Sequence, residues 1–215
     1  MENRTGGKTV KSDKISDAVV RRLPVYLRFL NELVAKNVTT VSSQDLGNKL
    51  DLNPAQIRKD LAYFGEFGKK GIGYDVGYLI EKIRQILKLD KSIHVALVGA
   101  GKLGHALCNY NIYSRDNLKI TAVFDASPSK IGEQINNMTV QPISELKKTV
   151  QNNNIRIGII TVPASEAQQV ANLFVDAGIE AILNFAPVIL KIPQAIRIHH
   201  ADFTTELQSL AYFLE

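Results

Sequence analysis

The segment Gly99-Ala100-Gly101-Lys102-Leu103-Gly104 follows directly on the apolar run Ile93-His94-Val95-Ala96-Leu97-Val98. A glycine-rich turn between a strand and a helix is a phosphate cradle. Gly99 allows the tight turn, Gly101 lets the backbone approach a pyrophosphate, and Gly104 lets the helix pack closely on the strand. The first amide groups of that helix supply donors and the positive end of a dipole. Asp125 stands 21 residues beyond Gly104, at the end of Ile120-Thr121-Ala122-Val123-Phe124. A carboxylate at this distance accepts hydrogen bonds from a ribose diol and repels a 2′-phosphate, which favours NAD(H) over NADP(H). Lys130 pulls the other way, because an ammonium group can neutralise a phosphate. Thr161-Val162-Pro163-Ala164 and Asn184-Phe185-Ala186-Pro187 fall at later strand ends, where such sheets hold ligands. Both are placed to flank a nicotinamide, or else are plain proline turns.

A base for hydride-transfer chemistry is missing from this pattern. Of the four histidines, His94 belongs to a buried strand and His105 to the helix after the glycine loop, while His199 and His200 share the last strand. None has a neighbour in sequence that would orient it. No His/Cys/carboxylate spacing suggests a metal site, so no metal is expected. Cys108 lies on a helix rich in Ala and Leu and reads as core. A dinucleotide site without catalytic machinery reads as a sensor rather than an enzyme.

The front of the chain carries a different chemistry. Residues 1–90 hold 16 Lys and Arg against 11 Asp and Glu, whereas residues 91–215 hold 10 of each. All of the net charge of +5 therefore lies in the front part, which suits a polyanionic partner. Ser42 caps a short helix to Leu50, Asp51-Leu52-Asn53 makes a turn, and Pro54 opens a second helix running to about Phe64. This is a helix-turn-helix pattern. On the second helix, Ile57, Leu61 and Phe64 face a core. Gln56, Lys59 and Tyr63 line the other side with Arg58 beside them, an amide, two cations and a phenol suited to base edges and phosphates in a major groove of double-stranded DNA. Lys69 and Lys70 form the tip of a wing between two short extended pieces. The alternative is an ordinary surface helix with a basic face and a glycine hairpin.

These sites need elements to hold them. At 215 residues and 45% apolar composition, the chain has material for a packed core in one large or two small domains. A helix is expected from about Ser16 to Lys36, kinked or restarted at Pro24, and another from about Val76 to Leu87. Strands are expected at 93–99, 120–125, 155–162, 180–185 and 196–201. Helices at about 102–113, 143–152 and 165–177 alternate with them, the pattern of a parallel sheet covered on both faces. A last amphipathic helix, about 203–214, carries Phe203, Leu207, Leu210 and Phe213 or Leu214 on one side. The fold class is thus α/β: an N-terminal winged helix-turn-helix domain (1–88), a Rossmann-type domain (89–202) and a C-terminal helix (203–215). One cysteine, no secretory signal and no membrane-length apolar run point to a cytoplasmic setting and no membrane partner.

The run from Ile57 to Tyr74 closely resembles the winged-helix signature of the Rex redox-sensing repressors. Arg22-Leu23-Pro24-Val25-Tyr26-Leu27-Arg28, the glycine loop, Phe124-Asp125 and Leu183-Asn184-Phe185-Ala186-Pro187 extend the resemblance from about Ile15 to the C-terminus. It implies a homodimer that binds a palindromic operator when NADH is low and is released by NADH, with a response either to NADH alone or to the ratio of NADH to NAD. Genes of fermentation and anaerobic respiration would then be derepressed. It also implies that the C-terminal helix is exchanged between subunits. A switch trio, a tyrosine near the nicotinamide, an acid before the last helix and an arginine in the first helix, falls on Tyr110, Asp202 and Arg28. One departure is Ser127, where family members often carry a second acid, and this loosens selectivity against NADP(H). The alternatives are an NAD-dependent dehydrogenase with an N-terminal extension and a coenzyme A-binding protein.

Overall fold

The computed structural model describes residues 16–63, 65, 68–69, 73–110 and 117–214. The chain forms two compact units that divide between Asp90 and Lys91.

The first unit begins with α1 (Asp17–Ala35), capped by Ser16, whose side chain accepts from the Val19 amide. The chain does not restart at Pro24, and α1 is one helix of 19 residues. Pro24 lies on the exposed side, so water can satisfy the carbonyl that its missing N–H leaves free. Leu23, Tyr26, Leu27 and Leu30 meanwhile bury the opposite stripe. After strand β1 (Thr40–Val41) comes α2 (Ser43–Leu50), held by a capping box between Ser42 and Asp45. Asp51 turns the chain in the left-handed region at φ 52°, and Asn53 caps α3 (Pro54–Ala62). Gly47 permits this close turn, since a Cβ there would stand 2.6 Å from the Leu52 carbonyl oxygen.

Helix α3 ends two residues earlier than expected, with Tyr63 as its cap; Phe64 and Lys70 lie outside the described residues. Strands β2 (Gly68–Lys69) and β3 (Gly73–Asp75) form the antiparallel wing, and β1 joins its edge to give the order β1-β3-β2. The two-residue β1 has no alternation to reveal it in sequence. Asp75 caps α4 (Val76–Ile86) by accepting from the Tyr78 amide at 2.7 Å. The core joins α1, α2, α3 and α4 through Leu30, Leu46, Ile57 and Leu79.

The second unit is a seven-stranded sheet with two helical faces. Its elements are β4 (Ile93–Val98), α5 (Lys102–Asn109), β5 (Leu118–Asp125), β6 (Gln134–Ile135), β7 (Met138–Pro142), α6 (Leu146–Asn152), β8 (Ile157–Ile160), α7 (Ala164–Ala177), β9 (Ala181–Asn184), β10 (Arg197–His200) and α8 (Phe203–Ala211). The order is β10-β9-β8-β4-β5-β7-β6, parallel except for the β6–β7 hairpin. Alternate residues of β4 enter different cores. Ala96 and Val98 pack with α6 and α7, while Val95 and Leu97 pack with Cys108 of α5. A strand buried on both faces reads as a continuous apolar run, as β4 does.

Helix α5 ends at Asn109 with Tyr110 in an extended conformation, short of the expected end at about 113; residues 111–116 lie outside the described residues. The β6–β7 hairpin was not expected from the sequence, although its signal is there. Asn136 and Asn137 both have positive φ (46° and 64°), and adjacent asparagines suit a tight hairpin turn. Among the described residues, no helix is long and apolar enough to cross a membrane.

Candidate cofactor cleft and nucleic-acid interface

The glycine loop divides its work among three positions. Gly99 has φ +111°, and a Cβ there would lie 2.7 Å from the Thr161 carbonyl oxygen. At Gly104 a Cβ would lie 2.1 Å from the Gly99 carbonyl oxygen, so only glycine lets α5 start so close to β4. At Gly101 nothing stands within 4 Å of a Cβ position. The first two glycines build the turn. The third leaves an open approach to the backbone, the room that a phosphate needs at a helix N-terminus.

That open side faces a cleft of about 650 Å³ between the loops that follow β4, β5 and β8. Gly99, Gly101, Asp125, Lys130, Thr161, Val162 and Pro163, all expected from the sequence, line it. Ile143, Val162 and Val170 give it an apolar wall, beside Ser127 and Glu166. Ile143 and Val170 come from helical segments, where an apolar residue reads as core, so the sequence offered no signal for them. The remaining loop residues, Ala100, Lys102, Leu103 and Gly104, shape or flank the turn; Lys102 and Leu103 are exposed.

Asp125 is the hinge of the cleft. Its Oδ2 accepts from the Ala100 amide at 2.8 Å and from Lys130 Nζ at 3.1 Å, and its Oδ1 accepts from the Ser127 amide at 2.8 Å. Burial opposes its charge, but the amides of Ser127 and Ala100 and the Lys130 ammonium outweigh burial and hold the carboxyl below its usual range. A carboxylate offers about four lone-pair positions. Three are used, which leaves one on Oδ1 for a hydroxyl. Lys130 thus gives one of its three N–H donors to the acid and keeps the others for a ligand in the cleft.

The loop after β9 departs from expectation. Asn184 is fully buried, and its Nδ2 donates to the carbonyls of Ala186 and Val188, both at 3.0 Å, while its Oδ1 accepts from the Ala186 amide. Both N–H groups of this amide are thus engaged in shaping its own turn. Phe185 packs against the core behind α5. Neither residue lines the cleft.

Two histidines have partners that sequence neighbours did not reveal. His105 Nε2 lies 3.4 Å from Glu133 Oε1, and His200 Nδ1 lies 3.1 Å from Asn184 Nδ2. Neither lines the cleft. Burial pushes the Cys108 thiol up to about 11, so it stays protonated and unreactive near neutral pH. Among the described residues no cluster of His, Cys, Asp and Glu could hold a metal ion.

In the first unit, α3 exposes Arg58, Lys59 and Tyr63. Arg58 Nη1 donates to Ser43 Oγ at 2.8 Å, tying α3 to the start of α2. Lys69 falls in β2, next to the wing turn. Gln56 departs from the groove-facing role. It is half-buried and its Nε2 donates to Asp60 Oδ1 at 2.7 Å, because a buried carboxylate one turn on competes for its amide. Asp60 itself is the residue that the sequence reading missed.

Of the switch trio, Arg28 is exposed on α1 in the first unit. Tyr110 caps the end of α5 and is 60% exposed. Asp202 caps α8, accepting from the Thr204 amide at 2.9 Å and from Thr205 Oγ1 at 2.8 Å. Hydrogen bonds from Thr205 and the helix amides lower the Asp202 carboxyl below its usual range. Helix α8 buries no residue, and Phe203, Leu207 and Leu210 are 73%, 50% and 60% exposed.

Comparison with known proteins extends over both units. Residues 14–62 match a family described as the N-terminus of putative DNA-binding proteins, and residues 90–188 match the CoA binding domain family. The chain is 60% identical over 204 residues to the redox-sensing transcriptional repressor Rex of Brevibacillus brevis, covering 95% of this chain and 99% of that protein. The corresponding repressor of Chloroflexus aurantiacus is 46% identical over 204 residues, at 95% and 96% coverage. Among solved structures, RSP in complex with β-NAD+ and operator DNA superposes with a TM-score of 0.88 at 37% identity, covering 93% of this chain and 92% of that one. RSP in complex with β-NADH gives 0.84 at 35% identity, with 93% and 94% covered.

Proposed function

Because the chain belongs to the Rex family of redox-sensing transcriptional repressors, we propose that its glycine-loop cleft binds NAD(H), that α3 and the wing bind operator DNA, and that the first event controls the second. One observation carries this reading. A single fold match spans both units, and the matched protein was crystallised with β-NAD+ and operator DNA together. A dehydrogenase with a front extension, or a coenzyme A-binding protein, leaves the first unit without a purpose.

The residues fit the cofactor. The open backbone at Gly101 receives the pyrophosphate, Asp125 takes a ribose hydroxyl on its remaining lone pair, and the adenine lies against Ile143, Val162 and Val170. The nicotinamide supplies the redox signal, and no residue of the chain performs chemistry on it. Lys59, Tyr63 and Arg58 meet the duplex, with Lys69 and Lys70 at the wing.

The C-terminal helix calls for a second copy of the chain. Its apolar residues Phe203, Leu207 and Leu210 are largely exposed among the described residues, and exchange with a partner would bury them. Arg28 and Tyr110 then compete for Asp202, a charged pair in one state and a phenol contact in the other. The setting is the cytoplasm. Titration of NADH into the protein–operator complex tests the whole reading, with NAD and NADPH in parallel. Release by NADH at micromolar to millimolar levels supports it, and indifference to NADH overturns it.

A further inference from the structure

Asp60 is the one buried charged side chain among the described residues of the first unit, with no exposed surface. Its carboxylate is filled from two helices. From α1, Arg22 Nε donates to Oδ2 at 2.6 Å, Arg22 Nη2 to Oδ1 at 2.8 Å, and the Tyr26 hydroxyl to Oδ2 at 2.7 Å. From α3 itself, Gln56 donates to Oδ1 at 2.7 Å. Burial opposes the charge, but the hydrogen bonds from Arg22, Tyr26 and Gln56 outweigh it and keep the carboxyl ionised.

The apolar residues Ile57 and Leu61 also seat α3 on the core. Apolar burial is non-directional, however, and permits a helix to roll. A two-pronged guanidinium–carboxylate pair fixes angle as well as distance. Buried pairs of this kind seldom add stability over an apolar isostere, and their best-attested use is to fix one arrangement among several.

We propose that Asp60 is a positioning residue for DNA reading: gripped by Arg22, Tyr26 and Gln56, it sets the roll of α3 on α1 and hence the angle at which Lys59 and Tyr63 meet the duplex. The same α1 carries Arg28, so a displacement of α1 passes to α3 as one body through this clamp. The inference rests on α3 being the reading helix, as proposed above.

The test uses the full-length protein and the duplex that it selects from a randomised pool, with a shuffled duplex as control. Asp60→Asn keeps the shape and removes the charge; Tyr26→Phe keeps the ring and removes one donor. For folded Asp60→Asn, the ratio of selected to shuffled affinity should fall by about tenfold or more, and for Tyr26→Phe by about threefold, while the salt slope changes by less than about one unit. NADH affinity should stay unchanged in both, because the cleft lies in the other unit. A merely structural loss lowers affinity for both duplexes alike and leaves the ratio intact. A ratio that stays at the wild-type level in the folded variants overturns the proposal, and Tyr26→Phe decides alone should Asp60→Asn fail to fold. A wild-type protein that selects no sequence would overturn the DNA-reading assignment itself, and the proposal with it.

Discussion

The Ala100 amide donates to Asp125 Oδ2 across 2.8 Å, joining the glycine loop after β4 to the end of β5, 25 positions on. The proposed pyrophosphate and ribose subsites therefore share one hydrogen bond. Losing the carboxylate unties the loop as well as the ribose contact. Asp125→Ala should weaken NADH binding at least about tenfold and cost about 1.5–3 kcal/mol of stability, the scale of a buried charge-assisted bond. Isothermal calorimetry and thermal melting on the same sample would check both.

The pH response of this group has a definite sign. The folded Asp125 carboxyl titrates below its usual range, so its contribution to stability is present above the unfolded value of about 3.9. It is lost as pH falls through the lowered folded value. Stability from this network should be flat through neutral pH and fall only under acid conditions. Asp125→Asn should remove that part of the acid-induced loss in a series of denaturant melts.

Gly101 and Gly104 should separate binding from folding. A Cβ at Gly101 meets nothing within 4 Å, whereas one at Gly104 lies 2.1 Å from the Gly99 carbonyl oxygen. Gly101→Val should leave stability within about 1 kcal/mol of wild type and abolish NADH binding. Gly104→Ala should destabilise by about 1–3 kcal/mol or more, as overpacking against backbone does. Equal melting temperatures for the two variants would contradict this division.

Lys59 and Tyr63 lie on the exposed side of α3. Lys59→Ala should weaken binding to the selected duplex more than to the shuffled one, as loss of a base-edge contact does, and change the salt slope by less than about one unit. Combined with Tyr63→Ala, the loss of operator affinity should exceed about tenfold. Fluorescence anisotropy over a range of salt concentrations measures both quantities.

The exposed side of α8 should behave as an interface. Leu207→Asp with Leu210→Asp places two charges where apolar side chains await cover. The pair should shift the protein from dimer to monomer in light scattering and weaken operator binding, since two half-sites are read by two subunits. A dimer of wild-type stability would rule out exchange of this helix.

Local signals determined much of the architecture. Ser42 and Asn53 mark helix starts through bonds that reach no further than one turn, Pro54 does so through its fixed φ, and the structure has its caps there. The apolar run of β4 declares burial on both faces. Gly99, Gly101 and Gly104 announce a tight turn because backbone geometry alone demands them. Such features are set by neighbours in the chain, and composition reveals them.

What the tertiary structure decided is which polar groups find each other. Asp60 reads as an ordinary helical acid until α1 brings Arg22 and Tyr26 to it from 38 and 34 positions away. Gln56 turns inward for the same reason, although its spacing placed it with Lys59 and Tyr63. Asn184 reads as a cleft residue until its own turn and His200 surround it. Lys130 reads as a free cation until Asp125 accepts from it. A buried polar group must be paired, and its partner is set by packing between elements rather than by spacing along one of them.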